Sequence, residues 1–325
     1  MRVGLCFDGF YSIGEMVDLA QLADRIGMHS IWMSDHLCFR DSVASSMAFL
    51  AKTEKILVVP APLTPYSRLP IISAMALATM DEFAPGRVWA TTGTGNAAAL
   101  AEAGVQVTRP LKTMREYMAV LRKLLSGEAV EFKGEIFNVN GAKMAFTPSA
   151  PLPIYMTAVK DGMLRLSGEI GDGALLSAGC APAYITRCAR EVRRGGERRD
   201  PALKKPDIGG FIATAVSADA REAIDASKNF LAYIFRNKHH ADNIRAGGGS
   251  VDQEGLAAAI GRRDWEGAKK YISDDVVRAH SISGTPSECV RQLEAFVAAG
   301  LDLPILLPMG TPEGRKRAVE LAKQL

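Results

Sequence analysis

Short runs of β-branched and apolar residues alternate along this chain with longer stretches whose apolar residues return every three or four positions, so the hydrophobic pattern switches repeatedly between strand and helix periods. VGLCFD at 3–8 is the first strand. Ile13, Met16, Val17, Ala20, Ala23 and Ile26 then mark one helix face, and Gly27 stops it. SIWMS (30–34), KILVVP (55–60), RVWATTG (87–93), PIYMTA (153–158), DGALLS (172–177), GFIATAV (210–216) and LPILLP (303–308) complete eight strands. Such alternation forces parallel strands joined by helical crossovers, and eight units predict an α/β fold, a (β/α)8 TIM barrel, as one domain spanning 1–325. The helix before the last strand is predicted over Pro286–Ala299, with GTP at 284–286 as its start and Gly300 as its stop. Two stretches exceed the minimal barrel. GEAVEFKGEIFNVNGAKMAF at 127–146 alternates with period two and predicts a β-hairpin, and the polar, Gly-rich 237–283 predicts a helical insertion before the last strand.

Charge narrows the partners. The net charge is +3, from 39 basic and 36 acidic residues spread along the chain, which provides no field for nucleic acid or an acidic membrane. A small-molecule substrate is expected instead. The amino-terminal MRVGLCFDGFYS lacks the features of a signal peptide and no apolar run has the roughly 20 residues of a membrane span, so the reading is a cytoplasmic protein. Cys6, Cys38, Cys180, Cys188 and Cys289 are odd in number and hold no CxxC pair, against a disulfide framework or structural zinc. Among His29, His36, His239, His240 and His280 there is no metalloenzyme spacing, so no metal is expected, and His239 and His240 are read as surface residues.

Chemistry concentrates after strand ends, where barrel enzymes place their sites. Asp35 and His36 follow the second strand; an imidazole there can donate or accept a proton, and a structural role is equally open on the residues alone. VVPAPLTPY at 58–66 stiffens the exit of the third strand with three prolines. GTGN at 93–96 lacks the third glycine of a dinucleotide fingerprint, but its glycines allow backbone to approach a flat ring, with Gly95 the closest candidate. In AVKDGM (158–163) the backbone N–H groups and Lys160 can meet a phosphate at a helix start, or form an ordinary helix end.

Together, the WMSDH run at 32–36, APLTPYSRLP at 61–70, FAPGRVWATTGTGN at 83–96, the segment from 109 to 144, IYMTAVKDGMLRLSGEIGDGALLS and SISGTPSECV resemble the luciferase-like superfamily, nearest to its deazaflavin-dependent methylenetetrahydromethanopterin reductase-like members. The resemblance implies a flavin or deazaflavin ring, FMN or F420, over a strand-three bulge with a cis peptide, which falls here on Ala61–Pro62. It implies Asp35, Ala61, Pro62, Thr64, Gly95, Ala158, Val159 and Lys160 as coenzyme contacts, and a homodimer or higher homo-oligomer. His36, Asn96 and Cys6 stand at the positions implied for catalysis, but Cys6 and Asn96 align where the reductases carry carboxylates, so coenzyme binding is expected with slow pterin reduction. The expected activity is hydride transfer between coenzyme and a small organic substrate; a reduced-FMN monooxygenase and a non-catalytic flavin carrier are the alternatives. Asp35, His36, Thr64, Asn96 and the 158–160 loop are expected to line one cavity.

Overall fold

Strand and helix periods in the sequence become, in a computed structural model that describes residues 1–324, eleven strands and fourteen α-helices among the described residues. The strands are β1 (Gly4–Phe7), β2 (Ser30–Ser34), β3 (Leu57–Ala61), β4 (Ala90–Thr92), β5 (Val130–Lys133), β6 (Asn138–Ala142), β7 (Ile154–Thr157), β8 (Gly173–Leu176), β9 (Asp207–Val216), β10 (Ile282–Gly284) and β11 (Leu303–Pro308). The helices are α1 (Ile13–Arg25), α2 (Ser42–Lys52), α3 (Pro70–Phe83), α4 (Ala97–Glu102), α5 (Pro110–Leu125), α6 (Asp161–Ile170), α7 (Pro182–Gly196), α8 (Ala220–Phe235), α9 (Ala241–Ala246), α10 (Gln253–Gly261), α11 (Trp265–Lys269), α12 (Asp274–His280), α13 (Pro286–Ala298) and α14 (Pro312–Glu320).

The eight strands expected from the pattern lie in one sheet in the order β3-β2-β1-β11-β9-β8-β7-β4. Bridges Val58↔Val88 and Leu63↔Thr92 join its two ends, giving a nearly closed parallel barrel. Contact between β3 and β4 is reduced to such bridges because Pro60 and Pro62 have no N–H to give to a continuous ladder. The hairpin is present as β5 and β6, antiparallel, and Glu116 of α5 holds its turn by accepting N–H bonds from Glu135, Ile136 and Phe137 at 2.9–3.1 Å.

Compactness divides the chain into two units: Phe7–Leu175 with Glu191–Asp207, and Met1–Cys6 with Leu176–Arg190 and Ile208–Leu325. In the first, α1 starts at Ser12, whose hydroxyl accepts from Glu15 N–H, and ends before Gly27 at φ +79. The second contains the predicted helical insertion as α9–α12, packed with α8 around Phe235, Leu256 and Val277. Two sequence expectations change there. Residues 282 and 283 were read as the end of the insertion and Gly284 as the start of a helix, but the three form β10 and pair in parallel with Thr214–Val216 of β9, too short a run for periodicity to reveal. His240, expected at the surface, is 5% exposed, because the 3-10 turn Lys238–His240 turns its ring onto Phe235 at 5.6 Å.

Candidate active site at the strand ends

Which side chains face the barrel interior follows from strand alternation. Trp32 of β2 touches Tyr155 of β7 with ring centroids 5.3 Å apart, although these strands are not neighbours in the sheet, so both rings cross the interior. Residues paired with them face the same way: Ser34 and Ala61 in the β2–β3 register, Thr91 opposite Tyr155, and Thr157 two residues beyond. Thr92 points outward, its hydroxyl on the Met118 sulfur of α5 at 3.4 Å.

At the carboxyl ends these strands meet closely. Asp35 N–H donates to Ala61 carbonyl at 2.8 Å, Leu63 N–H to Thr91 carbonyl at 2.7 Å, and Ala158 N–H to Leu175 carbonyl at 3.1 Å. The Ala61–Pro62 bond is cis, as the sequence led us to expect. A Cβ at Gly93 would stand 1.8 Å from Thr157 Oγ1 and 3.4 Å from Pro62 Cβ, so this approach admits glycine alone. Gly95 has φ +71, and a Cβ there would stand 3.4 Å from Thr64 Oγ1. Pro62, Thr64, Gly93, Gly95 and Thr157 therefore form one continuous surface of small groups and bare backbone. Beneath it, Thr91 Oγ1 is buried without a protein hydrogen-bond partner. Thr157 at position 93, and Leu100 with Thr64 at position 95, fill the places side chains would take, so bare backbone is what these two positions present at the strand ends.

The charged candidates sit at the rim of this surface. Burial raises the Asp35 carboxyl above its ordinary pKa; Asp41 adds to this, while Ser42 and Arg68 oppose it. His36 is open to solvent on one side, and the protein packed on the other pushes its imidazole below its ordinary value. Val159 is half-buried and Lys160 exposed at the start of α6, where Asp161 already brings a carboxylate to the positive helix end.

One of the predicted catalytic positions caps a helix. The Asn96 side-chain oxygen accepts from Ala98 and Ala99 N–H at 3.0 and 3.3 Å, capping α4 from an exposed position. Cys6 lies within β1, fully buried. Sequence reading passed over Asp8, one residue beyond β1 and 3% exposed, although period-two alternation places it on the Cys6 face. It also passed over Thr157 and Arg68; the latter pairs with Asp41 at 3.2 Å and acts electrostatically on Asp35. A groove of about 380 Å³ between α5 and α6 lies elsewhere, spanned by the Arg115–Glu169 pair at 2.8 and 2.9 Å. Among the described residues, no three His, Cys, Asp or Glu side chains are grouped to hold a metal, and no helix is long and apolar enough to cross a membrane.

Comparison with known proteins agrees with this layout. Residues 6–303 match the family model described as luciferase-like monooxygenase. The chain is 30% identical to 5,10-methylenetetrahydromethanopterin reductase of Archaeoglobus fulgidus over 99% of its own length and 97% of the relative's. It is 33% identical to an F420-dependent glucose-6-phosphate dehydrogenase of Kineococcus radiotolerans over 94% and 90% of the two chains. Its fold superimposes on the F420-dependent tetrahydromethanopterin reductase structure of Methanopyrus kandleri with TM-score 0.90 and 24% identity, covering 99% and 97% of the two chains.

Proposed function

The chain belongs to the luciferase-like monooxygenase family, and from that membership we propose that it binds the deazaflavin coenzyme F420 and passes a hydride between it and a small organic substrate. The observation that carries this reading is the glycine-lined cradle: Gly93 faces Thr157 and Pro62 so closely that only backbone can stand beneath a ring there. Full-length relatives named as F420-dependent enzymes or as the pterin reductase favour the deazaflavin over FMN.

Ala61, Pro62, Thr64, Gly95 and the Ala158–Lys160 loop would hold the coenzyme, which supplies two electrons as a hydride. The chain's own residues orient and shield it. Thr91 presents an unpaired hydroxyl from below, and His36, whose neutral imidazole is favoured by burial, takes a proton at the rim. Asp35, held beside Ser42 and Arg68, positions that rim more than it reaches across it.

Fluorescence titration of the full chain with F420, beside an absorbance titration with FMN, tests the coenzyme. Tighter binding of F420 is expected, and oxidation of reduced F420 on adding methylenetetrahydromethanopterin or glucose 6-phosphate would name the substrate class. Binding of FMN alone, with oxygen consumption, would replace the reading by a monooxygenase. Binding without turnover of any substrate offered would favour a carrier.

A further inference from the structure

The coenzyme reading leaves the β5–β6 hairpin without a task, although a buried carboxylate fixes its tip. Glu116 of α5 is 7% exposed and accepts N–H bonds from Glu135, Ile136 and Phe137 at 2.9–3.1 Å. A Cβ at Gly134 would stand 2.2 Å from Glu116 Oε2, so the turn approaches this carboxylate only as glycine. A tip fixed in this way holds Glu135 in place. Its carboxylate pairs with Arg109 through one oxygen and with Lys112 through the other. Lys112 belongs to the first turn of α5, and Arg109 is the residue at which the chain enters that helix.

Arg109 ends a segment that the fold holds loosely. Among residues 96–109 only Leu100 is buried, and it lies at the Gly95–Thr64 edge of the cradle: a Cβ at Gly95 would stand 3.1 Å from Leu100 Cδ1 and 3.4 Å from Thr64 Oγ1. The backbone bonds within the segment are local, such as Leu100 N–H to the Asn96 carbonyl and Val105 N–H to the Leu100 carbonyl at 2.9 and 2.8 Å. A stretch with one buried side chain and local bonds opens easily. Both of its ends are left-handed. Gly95 has φ +71 and Arg109 φ +48, the latter a region that a residue with a side chain enters under strain. A second contact ties the far end down: the Tyr66 hydroxyl donates to the Thr108 carbonyl at 2.6 Å, which also accepts from Thr113 Oγ1 at 3.2 Å. Tyr66 stands two residues beyond Thr64 of the cradle. The segment thus leaves the cradle at Gly95 and is brought back to the cradle wall at Thr108.

We propose that residues 96–108 are a lid at the edge of the coenzyme cradle, hinged at Gly95 and Arg109, and that Tyr66 and Glu135 are the positioning residues that hold it shut. The inference rests on the coenzyme reading above. Tyr66 latches the lid to the cradle wall, and Glu135 ties the strained hinge to α5, which gives the hairpin its task as a strap. Coenzyme enters and leaves when these contacts part. A latch that acts equally on the free and the bound lid changes the rates of exchange and not the affinity.

Tyr66→Phe removes one hydroxyl and Glu135→Gln one charge, and neither side chain is buried, so both variants keep the fold. Amide hydrogen exchange is measured on the full chain, alone and with F420, and F420 association and dissociation are followed by stopped-flow fluorescence. In native protein, F420 should slow exchange over 97–108. Without coenzyme, each variant should exchange about two- to tenfold faster there, the weight of one hydrogen bond or exposed ion pair, while the barrel strands exchange as in native protein. Association and dissociation of F420 should both quicken by a similar factor, with affinity equal within about threefold. Several results overturn the proposal and leave the coenzyme reading standing: no protection of 97–108 by F420, unchanged exchange there in either variant, faster exchange spread through the barrel, or an unchanged association or dissociation rate. Failure of native protein to bind F420 overturns the coenzyme reading, and the lid with it.

Discussion

The cradle at the strand ends and the helical insertion are both buried, yet they are made in opposite ways. The cradle exists because atoms are left out: Gly93 and Gly95 keep side chains from the space beside Pro62, Thr64 and Thr157. The insertion exists because atoms are put in. Phe235 is fully buried among Leu231, Ile244, Leu256 and Val277, with His240 and His280 against its ring at 5.6 and 4.9 Å. Both regions bury polar groups, but with different consequences. Thr91 Oγ1 lies beneath a surface fit for a ligand, whereas His280 is fixed by its bond to the Gly179 carbonyl at 2.8 Å and Asn243 spans Ala181 N–H and Gly179 carbonyl at 2.9 and 2.7 Å. Small backbone-lined surfaces suit recognition; filled apolar clusters suit stability.

The sharpest way to break this contrast is to remove atoms from the insertion. Phe235→Ala should cost about 3–5 kcal/mol of stability, read as a lower urea midpoint, with F420 affinity of the folded protein unchanged. A parallel loss of affinity would show that the insertion also serves the coenzyme.

Adding one carbon to the cradle should do the reverse. Gly93→Ala places a Cβ on Thr157 Oγ1, and overpacking of about 1–3 kcal/mol should appear as a roughly five- to 150-fold weaker coenzyme affinity. Thr157→Ala in the same chain should recover part of it. Unchanged affinity in fluorescence titration would move the ring elsewhere.

Acid should act on the insertion before the cradle. Burial pushes His240 down to about 3, with His239 and His280 adding to it, and burial also lowers His280. A histidine depressed in the fold takes up its proton more readily when unfolded, so stability is present above about pH 6.5 and is lost as pH falls from there toward the folded value near 3. Each fully coupled group contributes at most about 1.4 kcal/mol per pH unit. Urea midpoints measured from pH 7 to pH 4 should decline, and less steeply in His240→Phe; identical slopes would remove His240 from the account.

The smallest effect concerns Asn96. As the cap of a six-residue helix, Asn96→Ala should cost about 1 kcal/mol and speed amide exchange at Ala98 and Ala99. Asn96→Asp, which keeps the acceptor oxygen, should not. If Asn96→Asp instead raises turnover, the side chain is used in chemistry as well as in capping.

The barrel was legible because strand and helix periods are local, and a buried parallel strand such as LPILLP needs no partner to declare itself. The hairpin and the left-handed glycines at 27 and 300 were legible for the same reason. What the chain alone left open was which atoms meet. Asn96 was read by its place after a strand, but its task is set by the free N–H groups of a helix that begins one residue later. His240 looked like one of two surface histidines until a 3-10 turn folded it inward. Periodicity and turn chemistry are written residue by residue, so the sequence by itself determined the strands, the helices and the end of the barrel where chemistry belongs. Contact, burial and proton affinity depend on residues brought together from distant parts of the chain, and those only the tertiary structure decided.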